Sequence, residues 1–194
     1  MNHANRDVAR FDRWSRTYDD SLLQRLMFDP VHVTVIDELA AAPPSTVVDV
    51  GCGTGRLLRA VHARWPEARL IGVDPAAGMV EVARRLTPSA EFHLAPGEKL
   101  PLPDSSADAV LTSVSFHHWA DQAAGVREAV RVLRPGGRFI LADIKPSPLR
   151  RLLGERARTA AEREQLFADA GLRLSHHRVA GMRLMRILLT VGVK

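Results

Sequence analysis

Three glycines at alternate positions, Gly51, Gly53 and Gly55, close the run Val47-Val48-Asp49-Val50. Glycine takes backbone conformations closed to other residues and lets a ligand reach the main chain with no side chain in the way. The turn can therefore seat a nucleotide-like ligand or simply join a strand tightly to a helix. Cys52 stands inside it, where a small side chain fits. The spacing differs from the dinucleotide fingerprint Gly-x-Gly-x-x-Gly, whose third glycine would fall at Arg56. Asp74 ends the next apolar run, Arg69-Leu70-Ile71-Gly72-Val73, ~20 residues beyond the glycines, where such folds place a ribose acceptor. Its carboxylate can accept from both ribose hydroxyls, or it can serve as a turn former ahead of Pro75. His117 and His118 follow a fourth apolar run, and imidazole titrates near neutral pH, so either can take a proton from a bound substrate. Their rival role is structural, tying the strand end to a helix beginning near Asp121. Neighbours in sequence rarely share one metal, and no Cys or carboxylate cluster completes a ligand set.

The elements that must position these residues alternate with a period near thirty. Strands are expected at 47–50, 69–74, 90–94, 107–114 and 138–144, with helices at 55–64, 76–86 and 120–133 between them. Strands joined in this rhythm make a parallel sheet covered on both faces, with ligands bound beyond the carboxyl ends of the strands. Lys145-Pro146-Ser147-Pro148 breaks the pattern, and a basic segment, Leu149–Arg158, follows. A helix over 159–170 then stops at Gly171, and two apolar runs, 172–179 and 184–193, flank Gly181 and read as a hairpin. At the other end Phe11, Trp14 and Tyr18 are spaced three and four apart, which puts three rings on one helix face to pack or to close over a pocket. A second helix, 29–41, ends before Pro43-Pro44.

A chain of 194 residues, 46% hydrophobic, suffices for one well-buried domain over 1–194, with residues 1–42 as a helical cover. The lone Cys52 can form no internal disulfide. No run approaches the ~20 apolar residues of a membrane span and the amino terminus lacks a signal-like apolar stretch, so a cytoplasmic location is expected. The net charge of +5 is uneven: from Lys145 onward stand 11 Lys and Arg against 4 acids. Such a surplus can serve nucleic acid, an anionic membrane or an acidic substrate, or form solvated helix faces.

Several blocks together resemble the class I S-adenosylmethionine-dependent methyltransferases, in the small-molecule (type 11) branch that includes quinone-biosynthesis methylases. Val47 to Gly55 resembles the family's first motif, and Ile71-Gly72-Val73-Asp74-Pro75 with Met79 its second. Leu100-Pro101-Leu102-Pro103-Asp104 with Ala107-Asp108-Ala109-Val110 is similar to its loop and fourth strand, and Arg131-Val132-Leu133-Arg134-Pro135-Gly136-Gly137 to the turn before its fifth. The resemblance implies a doubly wound α/β Rossmann-like sheet of seven strands, the last antiparallel. It also implies methyl transfer from S-adenosyl-L-methionine to a small molecule, leaving S-adenosyl-L-homocysteine. It assigns cofactor contacts to Asp49, Gly51, Cys52, Gly53, Gly55, Asp74, Pro75, Met79, Gly97, Glu98, Ser113 and Ser115, and to Tyr18 at the methionine carboxylate. His118 or His117 would remove the acceptor's proton. The chain departs from the pattern at Pro96, where the family usually holds an Asp for the adenine amino group, which leaves adenine to Gly97 and Glu98. Rival readings are an RNA methyltransferase using the basic carboxyl-terminal segment, a nicotinamide-dependent reductase, and a cofactor-binding protein without transfer activity.

Overall fold

Five residues of β1, Thr46–Val50, are all buried, and the sheet is built outward from them. A computed structural model provides the structure of the protein; it describes residues 3–19, 22–147, 152, 154, 156–182 and 185–194. β2 (Arg69–Asp74) and β3 (Glu91–Leu94) extend the sheet on one side of β1, and β4 (Ala107–Ser113) and β5 (Leu133–Ile144) on the other. β6 (Arg173–Met182) and β7 (Met185–Val193) finish it in the order β3-β2-β1-β4-β5-β7-β6. The first five strands pair in parallel, while β7 runs antiparallel to both β5 and β6. The chain order reverses direction at β1, so a crevice opens between the carboxyl ends of β1 and β4.

Alternation along each strand feeds two apolar layers. Val47, Leu70, Leu111 and Ile140 pack beneath α2 (Leu22–Ala40), α3 (Arg56–Arg64) and α4 (Ala77–Leu86). Val48, Ile71, Val110 and Phe139 pack on the other face against α5 (Gln122–Val132) and Phe167 of α6 (Ala160–Asp169). Removing a fully buried side chain such as Val48 forfeits roughly 1.5–3 kcal/mol of transfer free energy. Polar clamps set the ends. Asp108 Oδ2 accepts from the amides of Ser45 and Thr46 at 3.1 and 2.7 Å, fixing where β1 starts against β4. The Arg138 guanidinium donates to the carbonyls of Glu38, Leu39 and Ala42, closing the carboxyl end of α2. Arg131 bonds the carbonyls of Leu100 and Leu102 and the carboxylates of Asp104 and Glu128, which holds the loop after β3 onto α5.

Element boundaries differ from expectation by three residues or more in three places. α2 begins at Leu22 rather than 29 and runs through Pro30, because Val31, Val35 and Leu39 form a buried stripe that keeps the helix in place around it. β5 begins at Leu133 rather than 138: Leu133 pairs with Ala107 before the register shifts at Gly136, whose φ of 78° makes the kink. β6 continues past 179 to Met182 and pairs Gly181 with Arg186. Half of the basic segment 149–158 lies outside the described residues. Among the described residues no helix is long and apolar enough to cross a membrane.

Candidate functional site

At the carboxyl ends of β1, β2 and β4 a cavity of about 500 Å³ opens, covered by α1 (His3–Tyr18). Its floor is the glycine turn. Gly51 sits at φ 77°, and a Cβ there would stand 2.1 Å from Ser115 Oγ, so only glycine lets β1 and the turn after β4 approach this closely. Gly53, at φ 53°, has open space where a Cβ would be. Asp74 folds onto the turn: its Oδ2 accepts from the Gly53 amide and its Oδ1 from the Ala76 amide, both at 2.9 Å. Burial pushes the Asp74 carboxyl up to about 6, and the two amide bonds oppose that shift.

Asp49 lies deeper. Burial, reinforced by the charge of Asp74, pushes its carboxyl up to about 8, and its Oδ1 is buried with no hydrogen-bond partner among the described residues. Two further polar atoms of lining residues share that condition, Arg56 Nη1 and Ser113 Oγ. Uncompensated burial of this kind costs on the order of 1–3 kcal/mol per group, and at a cavity wall it leaves these atoms open to a ligand's polar groups.

The turn after β4 forms the second wall. Val114 takes φ 51°, a left-handed conformation foreign to a β-branched residue that costs about 1–3 kcal/mol, held by its amide bond to Ala142 O at 2.8 Å. The kink carries Ser113, Ser115, His117 and His118 to the cavity. Both histidines are tied through Nδ1 to an aspartate. His117 Nδ1 lies 2.7 Å from Asp143 Oδ1, and its amide donates to Asp143 Oδ2 at 2.8 Å. Burial pushes the Asp143 carboxyl up, but His117 and the buried Arg163 outweigh it and hold it below the usual carboxylate range. His118 Nδ1 lies 2.7 Å from Asp7 Oδ2 of α1, and its ring meets Phe11 edge-on at 5.2 Å. Burial and the neighbouring His117 ring, whose centroid is 4.0 Å away, lower His118 to about 4 against the pull of Asp7.

α1 is fastened over the cavity along its length. Besides Asp7, Asp12 Oδ1 accepts from the Gly78 amide at 2.6 Å, and Asp19 accepts from Thr54 Oγ1 and Arg59 Nη2, both at 2.7 Å. Tyr18 lines the cavity with its hydroxyl pushed up to about 12 by burial, so it stays a neutral donor.

Of the residues singled out from sequence, His117, His118, Tyr18, Asp49, Gly51, Cys52, Gly53, Asp74, Pro75, Met79, Gly97, Glu98, Ser113 and Ser115 all line this one cavity. Gly55 does not: its missing Cβ faces the Phe92 ring at 3.1 Å, so it serves packing at the start of α3. The Glu98 side chain is already engaged, its Oε1 accepting from the Asp121 amide at 2.9 Å. Asp7, Asp143, His32, Phe28 and Arg56 were not singled out. Only Arg56 carried a signal, standing where a dinucleotide fingerprint has glycine.

Residues 48–141 match the family model described as "Methyltransferase domain". A demethylmenaquinone methyltransferase of Thermotoga maritima is 28% identical over 75% of this chain and 64% of its own length. A malonyl-[acyl-carrier protein] O-methyltransferase of Dechloromonas aromatica is 35% identical over 73% of this chain and 52% of its own. Residues 48–141 are a methyltransferase domain of the class I S-adenosylmethionine-dependent kind. It spans between a third and two thirds of the length of the curated relatives it matches first. Among solved structures, a chain in the complex of the Haloferax volcanii Trm112 methyltransferase activator with a methyltransferase superposes with a TM-score of 0.80 at 27% identity, covering 94% of this chain and 96% of that one. A SAM-dependent methyltransferase from Aquifex aeolicus gives 0.76 at 20% identity, over 96% of this chain and 98% of that one, a likeness of fold. The cofactor of this methyltransferase family is S-adenosyl-L-methionine, and the sheet order with an antiparallel β7 is the expected seven-stranded one.

Proposed function

We propose that this protein transfers the methyl group of S-adenosylmethionine to an oxygen, nitrogen or carbon of a small molecule. The nucleoside lies on the glycine turn, and the acceptor lies between α1, α2 and the turn after β4. The observation that carries the reading is the pair of carboxyls at the cavity floor. Asp74 spends one lone pair of each oxygen on turn amides and keeps others for ribose hydroxyls, while Asp49 presents a buried oxygen that a cationic ligand group satisfies. An amino-acid ammonium is such a group. Gly51, Cys52 and Gly53 offer bare backbone, Pro75 and Met79 an apolar bed for adenine, and Gly97 and Glu98 the remaining edge in place of the acid absent at Pro96. Ser113, whose hydroxyl has no partner among the described residues, and Ser115 face the amino-acid end; Tyr18 donates to the carboxylate.

When bound, the cofactor supplies an electrophilic methyl carbon on a sulfonium that leaves as a neutral thioether. The chain's own task is then to hold the acceptor in line and exclude water, which α1, serving with the start of α2 as the cover, does from above. Orientation of this kind is worth up to about 7–11 kcal/mol in well-aligned systems. Either imidazole can take the acceptor's proton. In His118, Nδ1–H donated to Asp7 leaves the lone pair on Nε2, and its ring is neutral at pH 7.

A small acceptor is favoured over RNA because several residues of the basic surplus are engaged within the protein. Arg163 is buried, Lys194 Nζ bonds the carbonyls of Val130 and Leu133, and Arg156 bonds Ala120 O. The test is transfer of labelled methyl from S-adenosylmethionine to a panel of phenols, quinols, amines, carboxylic acids and RNA at low and high salt. Label in a small acceptor supports the reading. Label only in RNA, lost steeply with salt, replaces it with the nucleic-acid reading, and cofactor binding with no labelled product replaces it with a binding protein.

A further inference from the structure

Arg56 is the first residue of α3, directly beyond the glycine turn, and its side chain is only 15% exposed. Two of its nitrogens are directed to acids of the amino-terminal segment: Nη2 donates to Asp29 Oδ1 at 2.7 Å, and Nε lies 4.0 Å from Asp19 Oδ1. The remaining Nη1 is buried with no partner among the described residues, although Arg56 lines the cavity. A guanidinium is always charged and its five donors are fixed in one plane, so two edges held by Asp29 and Asp19 aim the third. Of the described residues that share its part of the cavity, Tyr18 and His32 carry no negative charge. Tyr18 is a neutral donor, and burial together with the Arg56 charge holds His32 neutral, lowered to about 4.

The same cavity wall therefore holds an unsatisfied cationic donor at Arg56 and an unsatisfied acid at Asp49. The ligand that satisfies both carries an anion and a cation on one small group, which describes an α-amino acid. We infer that Arg56 is the anchor for the carboxylate of the cofactor's amino-acid end, donating through Nη1 beside the Tyr18 hydroxyl, with Asp19 and Asp29 as the residues that position it. This inference rests on the cofactor reading above and adds a specificity: the site selects nucleosides that keep the amino acid. The rival source of the same chemistry is a carboxylate on the methyl acceptor.

Calorimetry with two probes and no acceptor separates these. S-Adenosylhomocysteine carries the amino acid; 5′-methylthioadenosine keeps the nucleoside and thioether and lacks it. In the parent, S-adenosylhomocysteine should bind at least tenfold more tightly than methylthioadenosine. Arg56→Gln should weaken S-adenosylhomocysteine at least tenfold and leave methylthioadenosine within twofold. Arg56→Lys, which keeps the charge facing Asp29 but loses the planar donor set, should give a smaller loss in S-adenosylhomocysteine alone, which guards against a folding defect in the glutamine variant. Equal weakening of both probes in both variants would make Arg56 a structural residue and overturn the inference, as would unchanged binding of S-adenosylhomocysteine. Unchanged binding of that compound would leave the cofactor reading standing and pass the carboxylate to the acceptor. Failure of the parent to bind either probe would overturn the cofactor reading and this inference with it.

Discussion

The two walls of the cavity are built on different principles. The floor, from Asp49 through the glycine turn to Asp74, is backbone held by backbone: Gly51 and Cys52 donate to Val73 O at 2.8 and 3.2 Å, and Asp74 returns to Gly53. The cover meets the body of the protein side chain to side chain, through Asp7 on His118 of the turn after β4 and Asp19 on Arg59 of α3. The first arrangement is rigid and fixed by short-range sequence, suited to a ligand that never varies. The second is adjustable and assembled across long separations, suited to one that differs between relatives.

Breaking the floor should cost most. Asp74→Ala removes the ribose acceptor and both amide bonds, and it should raise the S-adenosylhomocysteine dissociation constant at least tenfold, about 1.4 kcal/mol or more. Calorimetry giving parent-like affinity would mean the floor is not the nucleoside site. Asp49→Asn sharpens the contrast, because it should weaken the cofactor yet stabilise the empty protein. The folded carboxyl stands at about 8 against an ordinary value of 3.8, so the folded state holds the extra proton and the parent loses stability as pH rises between those values. The variant's advantage is absent below about pH 4, grows to on the order of 4 kcal/mol by pH 7 and levels off above pH 8. Parallel denaturant curves for the two proteins at pH 4, 6 and 8 would contradict the burial of that charge.

Changes in the other wall should spare the cofactor. His118→Ala should reduce turnover roughly tenfold or more, within the ~10²–10⁴-fold that a positioned base contributes, and shift S-adenosylhomocysteine affinity less than twofold. Unchanged turnover would assign the proton to His117 or to solvent. Asp7→Asn removes the acid that raises the His118 ring, so by histidine NMR that ring should titrate lower than in the parent; an unmoved titration would show that α1 does not rest on it in solution. The smallest effect is ionic. The partly exposed pairs Arg59–Asp19 and Arg56–Asp29 are partly screened by salt, so S-adenosylhomocysteine release measured by stopped flow should quicken only about two- to threefold between 0.05 and 0.5 M salt.

The same contrast governs what could be read in the sequence. β2 was expected at 69–74 and stands there, because an apolar run bounded by charge and Pro75 defines a buried strand by itself. The limits of α2 and β5 escaped because packing overrode local breakers: a buried stripe carries the helix through Pro30, and a kink at Gly136 continues the strand. At the site, Asp74 was legible since its partner Gly53 lies 21 positions away in a recognisable turn. Asp7 was not, since nothing near it in sequence points to a histidine 111 positions on. Asp143 reads as one acid in an apolar strand until the fold brings His117 to it. Gly55 was assigned to the ligand because it completes the glycine spacing, whereas the Phe92 ring claims its open side.

The central claim is that an acid pair behind a bare turn receives a nucleoside with a charged amino-acid end. Titration calorimetry of the parent protein with S-adenosylhomocysteine at pH 7, repeated in two buffers of different ionisation heat, tests it most directly. The account predicts saturable binding with release of close to one proton, because Asp49, carrying a proton at that pH, gives it up to an incoming ammonium. No heat in either buffer, with no thermal shift, would contradict the claim outright; binding without proton release would remove Asp49 from the site.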